Sequence, residues 1–177
     1  MKKFLDVGSS TVTRVNLFDQ YGEMEVTRLD IDPDVEPDIV HDLMNPLPEE
    51  HQGIYDVVLA SHMLEHIEYR YVNQVVRNIV EAAKIGGEVW FFVPSMEWAA
   101  REIQLGRDGM GLQGTIFGGE MNQWDYHKTG FTLPLLAATL KAAGCKDIKG
   151  GGMRIDIVVL GETYPSYQNN AHGIRER

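Results

Sequence analysis

Acidic side chains stand at or beside the ends of three short apolar runs near the start of the chain. Asp6 lies in the run that stops at Gly8, Asp30 follows 22 residues beyond that glycine, and Asp42 closes a third run. In a parallel α/β sheet the carboxyl ends of the strands meet at one edge, where ligands bind. A glycine there lets the backbone approach a ligand. An acid at the distance of Asp30 suits the two hydroxyls of a ribose, and Asp42 can accept from an exocyclic amine. The spacing therefore predicts a nucleoside site.

The turn at Gly8 lacks the later glycines of a dinucleotide-binding turn. Ser10 and Thr13 stand where the pattern G-x-G-x-x-G would have them, which argues against a bound pyrophosphate. An NAD(P)-dependent oxidoreductase or epimerase on a similar sheet is the alternative enzyme. Its short-chain members need a tyrosine with a lysine four residues later, and no tyrosine of this chain has one. A cofactor-binding subunit without activity, whose partner does the chemistry, is a further alternative.

The segment His62-Met63-Leu64-Glu65-His66 has the form H-x-x-E-H. In the inverted zincin motif, two histidines on one helical face bind zinc and the glutamate serves as base. Here the motif directly follows a predicted buried strand, and no downstream glutamate at helical spacing offers a third ligand. We therefore predict no metal site in this segment, and a zinc peptidase is less favoured than either the oxidoreductase or the cofactor-binding subunit.

The stretch from Gly106 to Gly130 is rich in glycine, with six between positions 106 and 119, and has weak periodicity. Long segments of this kind are more often functional than structural. Trp124 and Tyr126, with His127 beside them, suit a substrate-binding lid inside a lid-like insertion at about residues 96–130. We expect this backbone to be unordered until a ligand binds. A surface loop whose aromatic side chains dock on the body is the alternative.

Strands alternate with helical segments over most of the chain, which indicates parallel βαβ units. The second helix has Thr132 as its predicted N-cap and Gly144 as its C-cap. Two strand-like runs flank Gly150 to Gly152 and predict a closing antiparallel hairpin. We assign residues 1–161 to one domain and expect the polar tail 162–177 to be frayed. The predicted strands span residues 3–7, 25–31, 38–43, 55–61 and 88–93, and the predicted helices span 71–84 and 132–143.

Length and charge limit the class of protein. The 177 residues suffice for one domain with its own core. The net charge of -10 disfavours nucleic acid and anionic membranes as partners. The single cysteine, Cys145, cannot form an intrachain disulfide, and the apolar run after Met1-Lys2-Lys3 ends at Asp6, which is too short for a signal peptide. The predicted location is the cytoplasm.

Taken in order, the motifs form a set that covers roughly residues 3–160. They are Asp6-x-Gly8, Asp30-Ile31-Asp32-Pro33, His41-Asp42-Leu43, Tyr55-Asp56-Val57-Val58 through Leu64-Glu65-His66, Lys84-Ile85-Gly86-Gly87, Pro94-Ser95 and Ala143-Gly144. This ordered set resembles the class I, Rossmann-like S-adenosylmethionine-dependent methyltransferases. No single motif carries the resemblance alone.

The resemblance implies an α/β fold, a three-layer Rossmann-like sandwich whose mostly parallel seven-stranded sheet ends in an antiparallel hairpin. It implies S-adenosyl-L-methionine as the cofactor and an acceptor bound over the fourth and fifth strands. The family's first turn usually has a second glycine where Ser10 stands. The cofactor-binding residues that follow from the resemblance are Asp6, Gly8, Ser10, Asp30, Ile31, Asp42, Leu43, Ser61 and His62.

The methyl acceptor is predicted to be a small molecule, with Trp124 and Tyr126 in its binding wall. A base is needed only if the acceptor loses a proton, and His127 and His66 are the candidates because histidine titrates near neutral pH. The helix that often precedes the first strand in this family has no counterpart in the sequence. A homodimer or another partner is the predicted source of that cover.

Overall fold

The computed structural model describes residues 1–11, 15–107, 109–119, 123–159 and 162–176. Within these residues, seven strands and four α-helices follow one another along the chain. The strands are β1 Lys2–Val7, β2 Met24–Asp30, β3 Ile39–Val40, β4 Tyr55–Ser61, β5 Ala83–Pro94, β6 Cys145–Val159 and β7 Glu162–Arg175. The helices are α1 Val72–Ala82, α2 Met96–Gln104, α3 Met110–Phe117 and α4 Leu133–Ala142.

The strands form one sheet in the order β3-β2-β1-β4-β5-β7-β6. The five strands β3 to β5 of this order are parallel, whereas β7 runs antiparallel to both β5 and β6. This arrangement confirms the predicted mostly parallel seven-stranded sheet with an antiparallel end. The carboxyl ends of β1, β2 and β4 consequently lie at the same edge.

The position of the final hairpin differs from the prediction. Strand β6 runs straight through Gly150 to Gly152, and residues 162–175 form β7 instead of a frayed tail. Glycine suits this part of β6 because a Cβ at Gly150 would lie 2.8 Å from the carbonyl oxygen of Asn170 in β7. Gln168 and Asn169 are polar, which is typical of an exposed tail, but both are buried in the structure. The Asn169 amide donates to Glu97 Oε2 at 2.7 Å. Strand β7 is therefore a buried strand whose polar composition resembles that of a surface tail.

Alternate residues of the central strands face two separate apolar clusters. On one face Leu5 of β1 and Val58 of β4 pack with α1 and α4, whose buried residues include Val76 and Leu136. On the other face Phe4 packs with Phe18, which comes from a short 3₁₀ segment over residues 15–21. Because both faces are covered, the central strands read as continuous apolar runs.

The helix termini follow ordinary capping rules. Thr132 caps α4 by accepting from the Leu135 amide at 3.3 Å, which confirms the predicted N-cap. The C-cap residue is Ala143, one residue before the predicted Gly144, and Gly144 follows it in the left-handed conformation with a φ of 90°. Ser95 caps α2 by accepting from the Trp98 amide at 3.2 Å. No helix in the described part of the chain combines the length and apolarity needed to cross a bilayer.

The glycine-rich stretch holds more regular structure than its sequence predicts. Helix α3 occupies Met110–Phe117, with Gly111, Leu112 and Thr115 buried. It contacts α2, β6 and β7. A short helix with two glycines gains its stability from such packing and not from propensity, which explains why its periodicity was weak.

We expect the Cys145 thiol to be nearly inert in the folded chain. Its side chain is buried, and burial raises its pKa to about 11 although Arg175 acts in the opposite direction. Reaction with a disulfide reagent at mildly alkaline pH should therefore be on the order of 100-fold slower than in denaturant. Absorbance of the released thiolate measures both rates, and comparable rates would show that the thiol is accessible and ionised in the native state.

Candidate functional site

A pocket opens at the carboxyl edge of the sheet, above the ends of β1, β2 and β4. It brings together many of the residues that the sequence predicted for the cofactor site and adds several from β4 onwards. Its lining residues are Gly8, Ser10, Leu29, Asp30, Ile31, Asp32, Val35, His41, Asp42, Leu43, His62, Met63, His66, Ile67, Trp124 and Asp125.

Four predicted site residues are not part of that lining. Asp6 and Ser61 are buried at the ends of β1 and β4, with relative exposures of 0% and 3%. Tyr126 is 47% exposed, and His127 lies behind the wall with 11% of its side chain exposed. Among the lining residues, His41 and Met63 stand inside motifs that the sequence analysis quoted, but it did not assign them to the site.

The turn after β1 is built on two left-handed residues. Gly8 has a φ of 64° and Ser10 a φ of 51°. The amides of Gly8 and Ser9 both donate to the Leu29 carbonyl, at 2.8 and 3.2 Å. A Cβ at Gly8 would lie 2.6 Å from the Cβ of Met63, so the glycine also admits the turn that follows β4. The structure thus adds a packing reason for Gly8 beside the predicted ligand approach.

Asp30 joins the turn after β1 to the turn after β2. Its Oδ2 accepts from the Ser10 amide at 2.8 Å, and its Oδ1 accepts from the Asp32 amide at 3.0 Å. A carboxylate has about four acceptor positions, so two remain for a ligand in the pocket. Asp42 is exposed, and its Oδ1 accepts from the Met44 amide at 2.9 Å.

The turn after β4 carries His62 in a left-handed conformation, with a φ of 54°. Such a conformation costs a residue with a side chain roughly 1–2 kcal/mol and is concentrated at functional sites. The ring is held between two partners, with Nε2 2.7 Å from Gln168 Oε1 and Nδ1 3.3 Å from Glu65 Oε1. Strand β7, which the sequence did not predict, therefore reaches the site through Gln168.

Glu65, His66 and His127 form a compact cluster behind the pocket. Glu65 is 1% exposed, and the rings of His66 and His127 meet edge to face with their centroids 4.9 Å apart. His127 Nε2 lies 3.9 Å from Glu65 Oε1. The two predicted bases, 61 residues apart in the chain, are thus neighbours. Sequence analysis did not assign Glu65 to the site, although the H-x-x-E-H spacing had drawn attention to it.

The cluster contains one anion in a buried setting. Burial alone would raise the pKa of the Glu65 carboxyl, but the interactions with His62, His66 and His127 together lower it below its ordinary value. The pKa of His127 is also lowered, mainly by burial, although Glu65 acts in the opposite direction. At neutral pH the structure therefore favours an ionised Glu65 beside a neutral His127.

The carboxyl end of the glycine-rich stretch is tied to the turn after β4. The amides of Lys128 and Thr129 both donate to the Glu65 carbonyl, at 2.7 and 3.0 Å, and the Thr129 hydroxyl donates to the Ile67 carbonyl at 2.6 Å. Trp124, four to five residues earlier, is 41% exposed and lines the pocket. The aromatic residues therefore sit beside a fixed anchor.

Comparison with known proteins gives the class of this site. Residues 5–91 match the family model described as methyltransferase domain. Among curated proteins none matches the chain. The fold is similar to a SAM-dependent methyltransferase from Archaeoglobus fulgidus, with 14% identity, a TM-score of 0.64, and coverage of 98% of this chain and 86% of that one.

Two other solved structures extend the comparison. One is the complex between the Haloferax volcanii Trm112 methyltransferase activator and the putative methyltransferase, with 12% identity, a TM-score of 0.67, and coverage of 99% of this chain and 82% of that one. The other is the citrinin polyketide synthase CMeT domain, with 12% identity and a TM-score of 0.63. This chain covers 99% of its own length there but spans only about half, 47%, of that protein.

The chain therefore matches a methyltransferase domain over residues 5–91 and has the class I, Rossmann-like fold of S-adenosylmethionine-dependent methyltransferases. A domain of this family with these structural neighbours implies S-adenosylmethionine as its cofactor.

Proposed function

We propose that this protein transfers the methyl group of S-adenosylmethionine to a small-molecule acceptor bound in the same pocket. The observation that carries the proposal is the pocket at the carboxyl edge of β1, β2 and β4. Its lining combines the Gly8 turn, the Asp30 carboxylate and the Asp42 carboxylate with histidine and tryptophan side chains. Ligands of open α/β sheets bind at this edge.

The chemistry of the lining fits the cofactor. Asp30 has acceptor positions for the two ribose hydroxyls, and Asp42 can accept from the adenine amine. The apolar side chains of Ile31 and Leu43 lie in the same lining and suit the faces of the base. Of the remaining predicted residues, Gly8, Ser10 and His62 line the pocket, whereas Asp6 and Ser61 would support it from beneath.

The cofactor supplies an activated methyl group on a sulfonium, so the chain has mainly to align the acceptor and exclude water. Trp124 and Tyr126 are the proposed acceptor wall. An acceptor that loses a proton would meet His66, which lines the pocket, with His127 behind it. Each of these rings donates its Nδ1 proton to a backbone carbonyl, at 3.2 Å to Tyr126 for His66 and 3.0 Å to Thr115 for His127. Their Nε2 atoms are therefore the candidate proton acceptors.

The proposed partners and compartment follow from the sequence. The net charge of -10 favours a small molecule over nucleic acid as acceptor. A homodimer and a cytoplasmic location remain our predictions. Sedimentation of the purified chain measures its oligomeric state. Imaging of a tagged chain in its source cell shows its location.

The direct test is methyl transfer from labelled S-adenosylmethionine. The purified chain should bind the cofactor and its demethylated product, S-adenosylhomocysteine, and should label one class in a panel of small acceptors. Mass spectrometry of a co-purified ligand would identify the natural acceptor or cofactor. Binding of a nicotinamide dinucleotide in place of S-adenosylmethionine would contradict the proposal, and cofactor binding without transfer to any acceptor would support a cofactor-binding subunit without activity.

We expect the part of residues 106–130 nearest the pocket to close over bound ligands. Trp124 is exposed at the pocket, and the chain is anchored from Tyr126 onwards, so we expect residues 123–125 to move inward about that anchor. Hydrogen exchange of these amides should slow when S-adenosylhomocysteine and an acceptor are added together. Equal, strong protection in the free and bound chain would show a fixed loop and would remove the case for a lid.

A further inference from the structure

The cluster behind the pocket places three metal-binding side chains within reach of one another. One ligand atom from each of Glu65, His66 and His127 lies within 4.8 Å of the other two. The Nδ1 of His62 lies 3.3 Å from Glu65 Oε1 at the edge of the same cluster. The sequence predicted no metal at H-x-x-E-H because the motif follows a buried strand and no downstream glutamate offered a third ligand, whereas the fold brings His127 to this place.

The hydrogen bonds of the two rings determine which of their nitrogens carry a proton. His66 Nδ1 lies 3.2 Å from the Tyr126 carbonyl, and His127 Nδ1 lies 3.0 Å from the Thr115 carbonyl. A carbonyl only accepts, so both Nδ1 atoms must carry the proton. In the neutral rings both Nε2 atoms then carry lone pairs.

Glu65 faces these lone pairs with two further acceptors. Its side chain is almost fully buried, and neither carboxylate oxygen accepts a hydrogen bond of good geometry from any residue that the structure describes. A buried carboxylate without a donor is costly unless a positive group compensates it. A proton on His62 could satisfy one oxygen, but it would leave the second oxygen without a donor among the described residues. The arrangement is an acceptor-only centre, which suits a cation.

We propose that Glu65, His66 and His127 bind one divalent transition-metal ion, with zinc the best match. Two imidazole nitrogens and one carboxylate favour zinc and similar ions over magnesium or calcium, which prefer oxygen ligands. Ligand atoms about 2 Å from a shared tetrahedral ion lie about 3.3 Å apart, so the ligand atoms, which lie within 4.8 Å of one another, need to approach by up to about 1.5 Å. The donation of each ring to a backbone carbonyl is the outer-shell arrangement that orients metal-binding histidines.

The role of this ion rests on the proposed function, because we expect it to act on the methyl acceptor in the same pocket. His66 lines the pocket, so an ion bound to it would lie beside the acceptor and could offer it a coordination position. A hydroxyl oxygen of the acceptor bound there would lose its proton to water more easily, because a metal ion lowers the pKa of a bound oxygen acid. That oxygen would then take the methyl group, and the sulfonium of the cofactor would become the neutral thioether of S-adenosylhomocysteine. The acceptor class is then one with a hydroxyl beside the methyl donor. With the ion bound, His66 and His127 act as ligands and not as bases.

The test measures metal binding without reference to activity. The full chain is freed of metal with a chelator, dialysed, and titrated with zinc chloride by calorimetry, and the retained metal is measured by elemental analysis after gel filtration. We expect one zinc per chain. The variants Glu65→Gln and His127→Gln should bind at least about 100-fold more weakly. His51→Gln is the matched control, because His51 contacts Tyr55 away from the cluster and its loss should leave the affinity unchanged.

Two further measurements keep the result decisive. Circular dichroism of each variant reports whether it folds. If both variants unfold, the absorption spectrum of the native chain loaded with cobalt replaces the variants as the test. We expect bands typical of a cobalt ion bound by nitrogen and oxygen. Substoichiometric zinc in the native chain, or unchanged affinity in folded His127→Gln, would overturn the site. Calorimetry of S-adenosylhomocysteine with the metal-free chain tests the proposed function separately, since nucleoside binding through Asp30 needs no ion.

Discussion

Replacing Asp30 by alanine should weaken S-adenosylmethionine by well over tenfold. Two hydrogen bonds from the ribose hydroxyls to a charged acceptor contribute roughly 1.5–3 kcal/mol each, and tenfold in affinity corresponds to about 1.4 kcal/mol. Asp30 also accepts from the Ser10 and Asp32 amides, so its loss loosens both turns that border the pocket. Calorimetry of the folded variant with S-adenosylhomocysteine measures the change.

Two companion variants separate ligand contact from turn structure. Asp34→Ala removes a nearby, exposed acid that is not part of the pocket lining, and its affinity should match that of the native chain. Asp30→Asn keeps one oxygen for the turn but removes the charge. Its affinity for S-adenosylhomocysteine should lie between those of the native chain and Asp30→Ala. An unchanged dissociation constant in folded Asp30→Ala would reject the ribose assignment.

The parallel half of the fold could be predicted because its signals are local. The uninterrupted apolar run of β4 requires burial on both faces, and the Thr132 cap and Gly144 stop fix the ends of α4 within a residue. Asp6 near the end of β1 and Asp30 at the end of β2 come together at one edge because parallel strands end at the same side. For these elements, residue type and spacing carry the three-dimensional information directly.

The antiparallel end could not be predicted because its stability comes from pairing. Gln168 and Asn169 are polar, yet β7 lies between two strands that satisfy its backbone and bury these side chains. Helix α3 was not predicted for a similar reason. Its glycines lower its own helix propensity, and packing against β6 and β7 stabilises it. The local amino-acid composition does not show which strands or helices will pack against a segment.

The meeting of Glu65 with His127 shows the same limit at the site. H-x-x-E-H was visible in the sequence, but its third partner lies 61 residues beyond His66 in a stretch without clear periodicity. The hydrogen bonds from Lys128 and Thr129 to the Glu65 carbonyl bring that stretch back to the turn after β4. Only the folded chain reveals that the two bases predicted separately share one buried carboxylate.

Gly8→Ala should be among the most destabilising single substitutions at the site. The new Cβ would lie 2.6 Å from the Cβ of Met63, at a residue whose φ is 64°. Overpacking typically costs about 1–3 kcal/mol and a left-handed non-glycine residue about 1–2 kcal/mol, so the free energy of unfolding should fall by about 2–5 kcal/mol. Urea unfolding measures this loss as a lower midpoint with an unchanged slope.

Gly22→Ala isolates the contact with Met63 from the backbone strain. Gly22 has a similar φ of 72°, but a Cβ there would meet nothing within 4 Å. Both substitutions restrict the unfolded chain equally, so Gly22→Ala should lose only about 1–2 kcal/mol, and the difference between the variants measures the contact. Met63 lines the pocket, so folded Gly8→Ala should also bind S-adenosylhomocysteine more weakly, whereas Gly22→Ala should not. Equal stability losses in the two variants would mean that Met63 moves aside freely, and the requirement for glycine would then rest on backbone conformation and ligand approach alone.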